Sequence, residues 1–368
     1  MNGSPMNPQR ILIVKLSSLG DVIMSLPFLE AIKSHFPQAL VDWAVEEPGA
    51  AILDNHPLVN QTLISPGKKP LKPLRKLKIL TAFRDVNNYR KKIRENKYDL
   101  VFDLQGLFKS GLVCFWAKSP RKIGFSGTRE FSPLFLNDKL PRYNPELNAS
   151  LRYLLLAKHV GANLPPHWEL KPTLVPSADD LFSAQKLLTE LPQPIISLVI
   201  GTRWPSKLWP TQNWAELLKI LASHKIGAIL LGSPEEIPLE TEILRLVPPS
   251  ESIRGLTGIT PLKLLPALFK LTKLTVTADN GSMHLSAAVG AKTLALFGPT
   301  RPTRTAPVSP WVTILRSEIK DCLGCLKHQC PKRKEPSCME DLLPETVFSK
   351  IKESLLTTQE QKIQGQQF

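Results

Sequence analysis

The first segment that could do chemistry is Lys15–Asp21, with the sequence K-L-S-S-L-G-D, which follows a short run of β-branched residues. Ser17, Ser18 and Gly20 leave room for a ligand and offer hydrogen-bond donors, and Asp21 places a carboxylate beside them. Ligands of open α/β sheets bind beyond the carboxyl ends of the strands, where this loop is predicted to lie. Asp21 is therefore a candidate functional carboxylate. It is equally a candidate helix cap, since Asp is a favoured capping residue, and the two roles are compatible.

A second candidate is the loop Gly201–Lys207, which follows the first predicted strand of the second half of the chain. Thr202, Arg203 and Lys207 place a hydroxyl and two cations on this one loop. That combination suits the binding of an anion. A solvated basic loop is the alternative interpretation.

A third candidate is the polar segment at residues 277–284, which lies between two apolar stretches and reads as strand, loop and helix start. The backbone N–H groups at such a helix start point outward and form a ready phosphate site. Here they belong to Asn280, Gly281 and Ser282. Asp279 could accept hydrogen bonds from sugar hydroxyls. In the alternative interpretation, Asn280 and Ser282 only cap the helix and His284 is a satisfied polar residue.

Residues 68–97 hold much of the positive charge of the chain, which is +15 overall. This stretch has twelve Lys and Arg residues and two acidic residues, Asp85 and Glu95. Such a concentration favours an anionic partner over a merely solvated helix face. Aromatic residues that could stack on bases are scarce there, with only Phe83 and Tyr89, so nucleic acid is not the favoured partner.

Four cysteines lie close together late in the chain, at Cys322, Cys325, Cys330 and Cys338, with His328 among them. Their spacing permits a tetrahedral structural zinc, and a cluster of reduced thiols is the other possibility. In a chain of 368 residues they do not resemble the disulfide framework of a small secreted protein.

The elements that must position these residues alternate between strands and helices, which predicts an α/β fold with parallel sheets. Strands are predicted at 10–15, 40–45, 100–102, 195–200, 228–231, 274–277 and 293–297, and helices at 87–95, 151–160, 214–223, 262–269 and 283–289. Pro27 lies inside a helical pattern, so that helix must kink or restart there. The alternation pauses in a turn-rich stretch near residues 161–178, which predicts domains at 1–172 and 173–356, followed by a frayed tail at 357–368.

Composition sets further limits. With 42% hydrophobic residues the chain is not disordered. No apolar run reaches the roughly 18 residues that a membrane-spanning helix needs, and the N-terminal stretch lacks the features of a signal peptide. We therefore expect a cytoplasmic protein.

Taken together, the motifs resemble those of the lipopolysaccharide heptosyltransferases of glycosyltransferase family 9. The resemblance rests on VKLSSLGDV at 14–22, DWAVEE at 42–47, DLQGLFKS at 103–110, KLWP at 207–210, GSPEE at 232–236, DNGSMH at 279–284 and FGPT at 297–300. The second and third motifs look most like heptosyltransferase I, whereas the late cysteines look like heptosyltransferase II. The resemblance implies a GT-B architecture, in which two Rossmann-like domains face a cleft.

The resemblance also implies an inverting, metal-independent transfer of heptose from ADP-heptose onto the inner core, Kdo–lipid A, of lipopolysaccharide. Asp21 matches the catalytic base, and the acceptor would lie near Ser18, Gly20, Lys68, Lys69, Lys72 and Arg75. The donor-binding residues implied are Thr202 and Lys207 at the phosphates, Glu236 at the ribose, Asp279 at the sugar, and the segment Asn280, Gly281, Ser282 and His284. No cofactor is implied, in line with the absence of a D-x-D pair. The implied partners are the nucleotide sugar, an anionic lipid A-type acceptor and the inner face of the inner membrane, with no nucleic acid.

Two other functions stay open at the level of sequence. One is a family relative that uses another nucleotide sugar or a later core acceptor, because a fold does not fix specificity. The other is a non-catalytic protein that binds polyanions through residues 68–97. Titration with ADP-sugars and with duplex DNA at physiological salt would distinguish these from the heptosyltransferase.

Overall fold

The computed structural model describes residues 7–67, 76–164 (with side chains from 83 onward), 173–318, 322–331 and 337–356. The chain divides into two compact units, Met1–Pro165 and Pro166–Phe368. The predicted domain boundary at residue 172 and the predicted tail at 357–368 lie outside the described residues.

The first unit is a six-stranded parallel sheet in the order β3-β2-β1-β4-β5-β6, with helices between the strands. Its strands are β1 (Arg10–Val14), β2 (Leu40–Glu46), β3 (Gln61–Ser65), β4 (Leu100–Asp103), β5 (Arg121–Phe125) and β6 (Asp138–Leu140). Its helices are α1 (Leu19–Met24), α2 (Leu26–His35), α3 (Glu47–Leu53), α4 (Lys76–Glu95), α5 (Phe108–Trp116) and α6 (Ala149–His159).

The second unit is also a six-stranded parallel sheet, in the order β12-β11-β10-β7-β8-β9. Its strands are β7 (Ile195–Val199), β8 (Gly227–Leu231), β9 (Ile253–Gly255), β10 (Leu274–Ala278), β11 (Thr293–Phe297) and β12 (Val312–Arg316). Its helices are α7 (Ala178–Leu188), α8 (Thr211–Ser223), α9 (Ile237–Arg245), α10 (Leu265–Leu271), α11 (Gly281–Ala288), α12 (Pro302–Thr305) and α13 (Pro344–Leu356).

The central strands consist almost entirely of buried apolar residues. Residues 11–14 of β1 and 195–199 of β7 are buried along their whole length. Continuous runs of this kind are typical of parallel strands that helices cover on both faces. Two tryptophans secure the second unit just after the Lys207 loop: Trp209 and Trp214 pack edge to face with ring centroids 4.6 Å apart, and Trp209 Nε1 donates to the carbonyl of Leu342 at 2.8 Å.

Both sheets have the same Rossmann-like strand order, because the first strand of each unit pairs with the second on one side and with the fourth on the other. The strand order reverses between β1 and β4, and again between β7 and β10. Such switch points are where ligands bind in open α/β sheets. The segments that follow these four strands contain Asp21, in the first turn of α1, and the loop residues Gln105, Gly201 and Asp279.

The predicted α/β class with two Rossmann-like domains is confirmed. Pro27 does not kink a continuous helix, because α1 ends at Met24 and a new helix, α2, begins at Leu26. The proline lies in the first turn of α2, where a backbone N–H has no partner within the helix, so its missing N–H costs no hydrogen bond. Within the described part of the chain, no helix combines the length and the apolar character needed to cross a membrane.

Candidate functional site

In the first unit, Asp21 lies in the first turn of α1, and Ser18 rather than Asp21 occupies the N-cap position. Ser18 donates to Asp21 Oδ2 from its backbone nitrogen at 3.3 Å and from its hydroxyl at 3.1 Å. Tyr153 Oη donates to the other carboxylate oxygen, Oδ1, at 3.5 Å. With 38% of its side chain exposed, Asp21 still faces solvent. The carboxylate is thus part of the helix-start hydrogen bonding and is also open to a ligand.

Lys15 lies behind this carboxylate and is almost fully buried. Its Nζ is 3.8 Å from Asp21 Oδ2 and 5.1 Å from the centre of the Tyr153 ring. Burial alone lowers the pKa of Lys15, but the charge of Asp21, followed by Tyr153 and Asp103, outweighs it, so that the net pKa is raised. Lys15 is therefore a permanent buried cation next to the candidate base.

Sequence reasoning gave no role to Lys15 or Tyr153. Lys15 is part of the motif V-K-L-S-S-L-G-D-V at 14–22, and its place in that motif was the available signal. Tyr153 comes from α6, 132 positions after Asp21, and nothing local marks it as a site residue.

The loop after β4 supports the loop that follows β1. Gln105 Oε1 accepts hydrogen bonds from the backbone nitrogens of Leu16 at 3.1 Å and Ser17 at 3.0 Å. Asp103 Oδ1 in turn accepts from the backbone nitrogens of Gln105 at 3.0 Å and Gly106 at 2.9 Å. Gly106 has a φ of +67°, a backbone conformation that favours glycine. The D-L-Q-G motif at 103–106 therefore forms a turn after β4, and Gln105 in this turn holds the loop that follows β1.

A further polar group extends this edge of the sheet. Lys109 Nζ contacts Ser17 Oγ at 2.8 Å and Glu46 Oε1, at the end of β2, at 2.6 Å. Of the predicted acceptor residues, Ser18 is exposed beside Asp21, whereas Gly20 is buried in the first turn of α1. The other four, Lys68, Lys69, Lys72 and Arg75, lie outside the described residues.

In the second unit, the loops after β7 and β10 meet in a similar way. Asn280 Nδ2 donates to the carbonyl of Gly201 at 2.8 Å. Asn280 Oδ1 accepts from the backbone nitrogens of Ser282 at 2.9 Å and Met283 at 3.2 Å, so that Asn280 is the N-cap of α11. The capping interpretation of Asn280 is therefore correct, and the N–H of Ser282 already has an acceptor within the protein. His284 is buried one turn further along α11.

Lys207 and Asp279 form the best-defined ion pair at this edge. Lys207 Nζ is 2.8 Å from Asp279 Oδ2 and 3.1 Å from the backbone oxygen of Asp279. Only 14% of the Lys207 side chain and 7% of the Asp279 side chain are exposed. The Trp204 ring covers the ammonium with its centroid 4.8 Å from Nζ. Two predicted donor residues, 72 positions apart, are thus brought together.

Glu236 lies against two glycines. A Cβ added to Gly201 would overlap the Glu236 carboxylate, and one added to Gly232 would lie 2.9 Å from Glu236 Oε2. The absence of side chains at these two positions therefore makes room for Glu236 at the ends of β7 and β8. Thr202 is half-buried next to Gly201. Lys207, Glu236, Asp279 and Asn280 consequently belong to loops at one edge of this sheet.

The cysteine-containing loop packs against the loop of Lys207. Ser206 donates from Oγ to the carbonyl of Lys327 at 2.6 Å and from its backbone nitrogen to the carbonyl of His328 at 3.3 Å. The Trp204 and His328 rings have centroids 5.7 Å apart. The cysteine-containing loop therefore helps to hold the Gly201–Lys207 loop in place.

None of these four cysteines forms a disulfide, and Cys338 is buried. Burial, followed by the proximity of Cys322, Cys325 and Cys330, raises the pKa of Cys338 to about 11. No group of three or more His, Cys, Asp or Glu side chains is arranged to hold a metal ion in the ranges that the structure describes. A zinc at the four cysteines stays a hypothesis.

Two Rossmann-like units, one with an exposed carboxylate and the other with the Lys207–Asp279 ion pair after the central strands, are typical of glycosyltransferases of GT-B type. The model of glycosyltransferase family 9 (heptosyltransferase) matches residues 86–335, and the chain belongs to this family.

Relatives from both heptosyltransferase classes are similar to the chain. Lipopolysaccharide heptosyltransferase 2 of Escherichia coli (strain K12) is 29% identical over 320 residues, which cover 83% of this chain and 88% of the relative. Lipopolysaccharide heptosyltransferase 1 of the same strain is 30% identical over 308 residues, covering 80% and 89%. The solved E. coli heptosyltransferase WaaC with ADP-2-deoxy-2-fluoro heptose matches with a TM-score of 0.69 at 27% identity, covering 94% of this chain and 99% of that one.

Proposed function

We propose that the protein is an inverting lipopolysaccharide heptosyltransferase, which transfers heptose from ADP-heptose to the Kdo–lipid A inner core with Asp21 as general base. The observation that carries the proposal is the Asp21 carboxylate. Its two oxygens accept hydrogen bonds from Ser18 and Tyr153, a buried lysine lies behind it, and 38% of its side chain is open to a substrate.

In the proposed reaction, Asp21 takes the proton of an acceptor hydroxyl as that oxygen bonds to the anomeric carbon of the heptose. The bond from the anomeric carbon to the diphosphate oxygen breaks, and its electron pair leaves with ADP. Attack opposite to the leaving group inverts the configuration. The positive charge of Lys15, 3.8 Å from Asp21 Oδ2, favours the ionised carboxylate, which is the form that accepts a proton.

The second unit supplies donor binding in this proposal. The leaving ADP gains negative charge, which fixed cations and N–H groups stabilise without having to reorient. Lys207 would lie at the phosphates, together with the N–H groups of Asn280 and Gly281 at the start of α11. Asp279 would exchange part of its contact with Lys207 for the sugar hydroxyls, and Glu236 would hold the ribose. Relatives support this donor, since WaaC has been solved with an ADP-heptose analogue.

The first unit binds the acceptor in this proposal. Lipid A-type acceptors are anionic and lie in an anionic membrane, so a basic enzyme is drawn to them. We propose that residues 68–97 act in this encounter and that the enzyme works at the inner face of the inner membrane. No cofactor is part of the proposed reaction.

A donor screen tests the proposal. Purified enzyme is incubated with Kdo–lipid A and one nucleotide sugar per reaction: ADP-heptose, another ADP-sugar or a UDP-sugar. The products are identified by mass spectrometry. We expect one heptose to be added with ADP-heptose alone. Transfer from a different nucleotide sugar would replace the donor assignment. Binding to duplex DNA with a steep salt dependence, and no transfer, would favour the polyanion-binding alternative instead.

A further inference from the structure

An exposed apolar surface lies on the first unit, at α5 and the short 3-10 helix Ser132–Phe135. We call it the α5 patch and define it by five residues: Phe108, Phe115, Phe131, Leu134 and Phe135. Four of the side chains are between 45% and 77% exposed, and Phe135 is half-buried between them. The Phe135 ring centroid is 5.7 Å from that of Phe108 and 6.1 Å from that of Phe115.

Within the α5 patch, the rings of Phe108 and Phe115 both contact that of Phe135. Phe131 is the N-cap of the short helix that contains Leu134 and Phe135, in contrast to single exposed residues such as Phe182 and Ile259 in the second unit. Scattered exposed apolar residues are ordinary in soluble proteins, whereas a contiguous cluster marks an interaction surface. Phe108 and Phe115 are seven positions apart on α5 and therefore lie on one face of the helix. Exposing these two rings to water does not stabilise the fold of this unit.

The patch borders the candidate site. Phe108 is exposed at the start of α5, and the next residue, Lys109, contacts Ser17 Oγ in the loop that leads to Asp21. Whatever covers the patch is therefore held next to the sheet edge at which the acceptor would react.

A basic helix flanks the patch. Helix α4 packs against α5, with the Tyr89 and Trp116 rings 6.4 Å apart. Between residues 83 and 97 the exposed side chains include six cations: Arg84, Arg90, Lys91, Lys92, Arg94 and Lys97. The same stretch has only two acids, Asp85 and Glu95.

Exposed aromatic rings beside a row of cations match the surface of an anionic bilayer, where rings enter the interface and cations meet lipid phosphates. We propose that the α5 patch, with the cations of α4, is the surface by which this enzyme docks on an anionic lipid bilayer. The proposal rests on the proposed function for its biological meaning, because a lipid-linked acceptor must be reached at the membrane.

The first test measures binding of the full-length protein to vesicles, by sedimentation, with no sugar present. Vesicles contain phosphatidylglycerol and phosphatidylethanolamine, or phosphatidylcholine alone. In the patch variant, Phe131→Asn is combined with Leu134→Ser, since both side chains are more than three-quarters exposed and Asn tolerates the left-handed backbone at residue 131. The matched control combines Phe182→Ser with Ile259→Ser in the second unit. ADP binding and thermal melting confirm that each variant is folded.

We expect the patch variant to lose at least about tenfold in affinity for anionic vesicles, because each buried apolar side chain contributes to the partition free energy. The control should bind like the wild type. Arg90→Glu combined with Arg94→Glu should also weaken binding to anionic vesicles, with little effect on phosphatidylcholine. Unchanged vesicle binding in the patch variant would overturn the proposal. So would a wild-type dimer that the patch substitutions convert to a monomer without loss of vesicle binding, since a second copy would then be the occupant.

A second readout separates this proposal from the proposed function. Transfer to a water-soluble acceptor without acyl chains should be the same in wild type and patch variant, whereas transfer to vesicle-bound acceptor should fall. If neither protein transfers heptose but the vesicle result holds, the docking surface stands and the enzymatic assignment fails.

Discussion

The ammonium of Lys15 lies 3.8 Å from Asp21 Oδ2, with 4% of the lysine side chain exposed against 38% for the aspartate. A buried cation thus stands behind a carboxylate that faces solvent. Opposite charge at this range favours the ionised carboxylate, and burial of the lysine reduces screening of the interaction by water and salt. In the proposed reaction, the pair therefore favours the form of Asp21 that accepts the proton.

Replacement of Lys15 by Met should move the acid limb of the rate–pH profile to higher pH, because the carboxylate loses its cation. Turnover at neutral pH should change little from this shift, because a carboxylate without the cation is still ionised there. The measurement is kcat as a function of pH, with Lys33→Met as the control, since Lys33 bonds to the carbonyls of Pro37 and Ala39, away from Asp21. A profile that keeps its wild-type acid limb in a folded Lys15→Met protein would show that Lys15 has a structural role only.

Replacement of Lys207 by Ala should weaken ADP binding by about 10- to 100-fold, since a charge-assisted contact to phosphate is worth roughly 1.5–3 kcal/mol. Calorimetric titration with ADP measures this directly. Lys219→Ala, which removes an exposed cation of the same unit, is the matched control and should bind ADP normally. Equal ADP affinity in the Lys207 and Lys219 variants would remove Lys207 from the donor site.

Gly201→Ala should raise the donor KM, because the new Cβ overlaps the Glu236 carboxylate and displaces it. The double variant Gly201→Ala/Glu236→Ala separates the two consequences of this overlap. Thermal stability should recover in the double variant, since the clash is gone, while donor affinity should stay low, since the carboxylate is gone too. Recovery of donor affinity would mean that Glu236 makes no contact with the nucleotide.

The central strands could be predicted from sequence because they are continuous buried apolar runs. Residues 293–297 were predicted exactly as β11 is observed, and β7 and β10 differ by one residue at one end. The strands missed were β3, β5, β6, β9 and β12. Four of them, β3, β6, β9 and β12, are the edge strands of their sheets, and β6 and β9 have only three residues each. Their pairing is a tertiary effect that a short local pattern does not record.

Some residues of the candidate site could likewise be predicted from the sequence, and others could not. Asp21, Lys207 and Asp279 could be identified because they are polar residues in the short segments that follow buried strands. Tyr153 and Gln105 could not, because their contacts with Asp21 and Ser17 depend on the order of strands and on where α6 packs. The N-cap was assigned to Asp21 as an alternative, yet Ser18 holds it, since helix boundaries shift easily by a few residues.

The most direct test of the central claim is the turnover of Asp21→Asn. The amide keeps the shape of the side chain and can still accept hydrogen bonds from Ser18, but it cannot take the acceptor proton. We predict that heptose transfer from ADP-heptose to Kdo–lipid A falls by about 10²- to 10⁴-fold, while ADP affinity and thermal stability stay close to wild type. Near-wild-type turnover in this variant would contradict the account and leave Asp21 as a residue of the helix start alone.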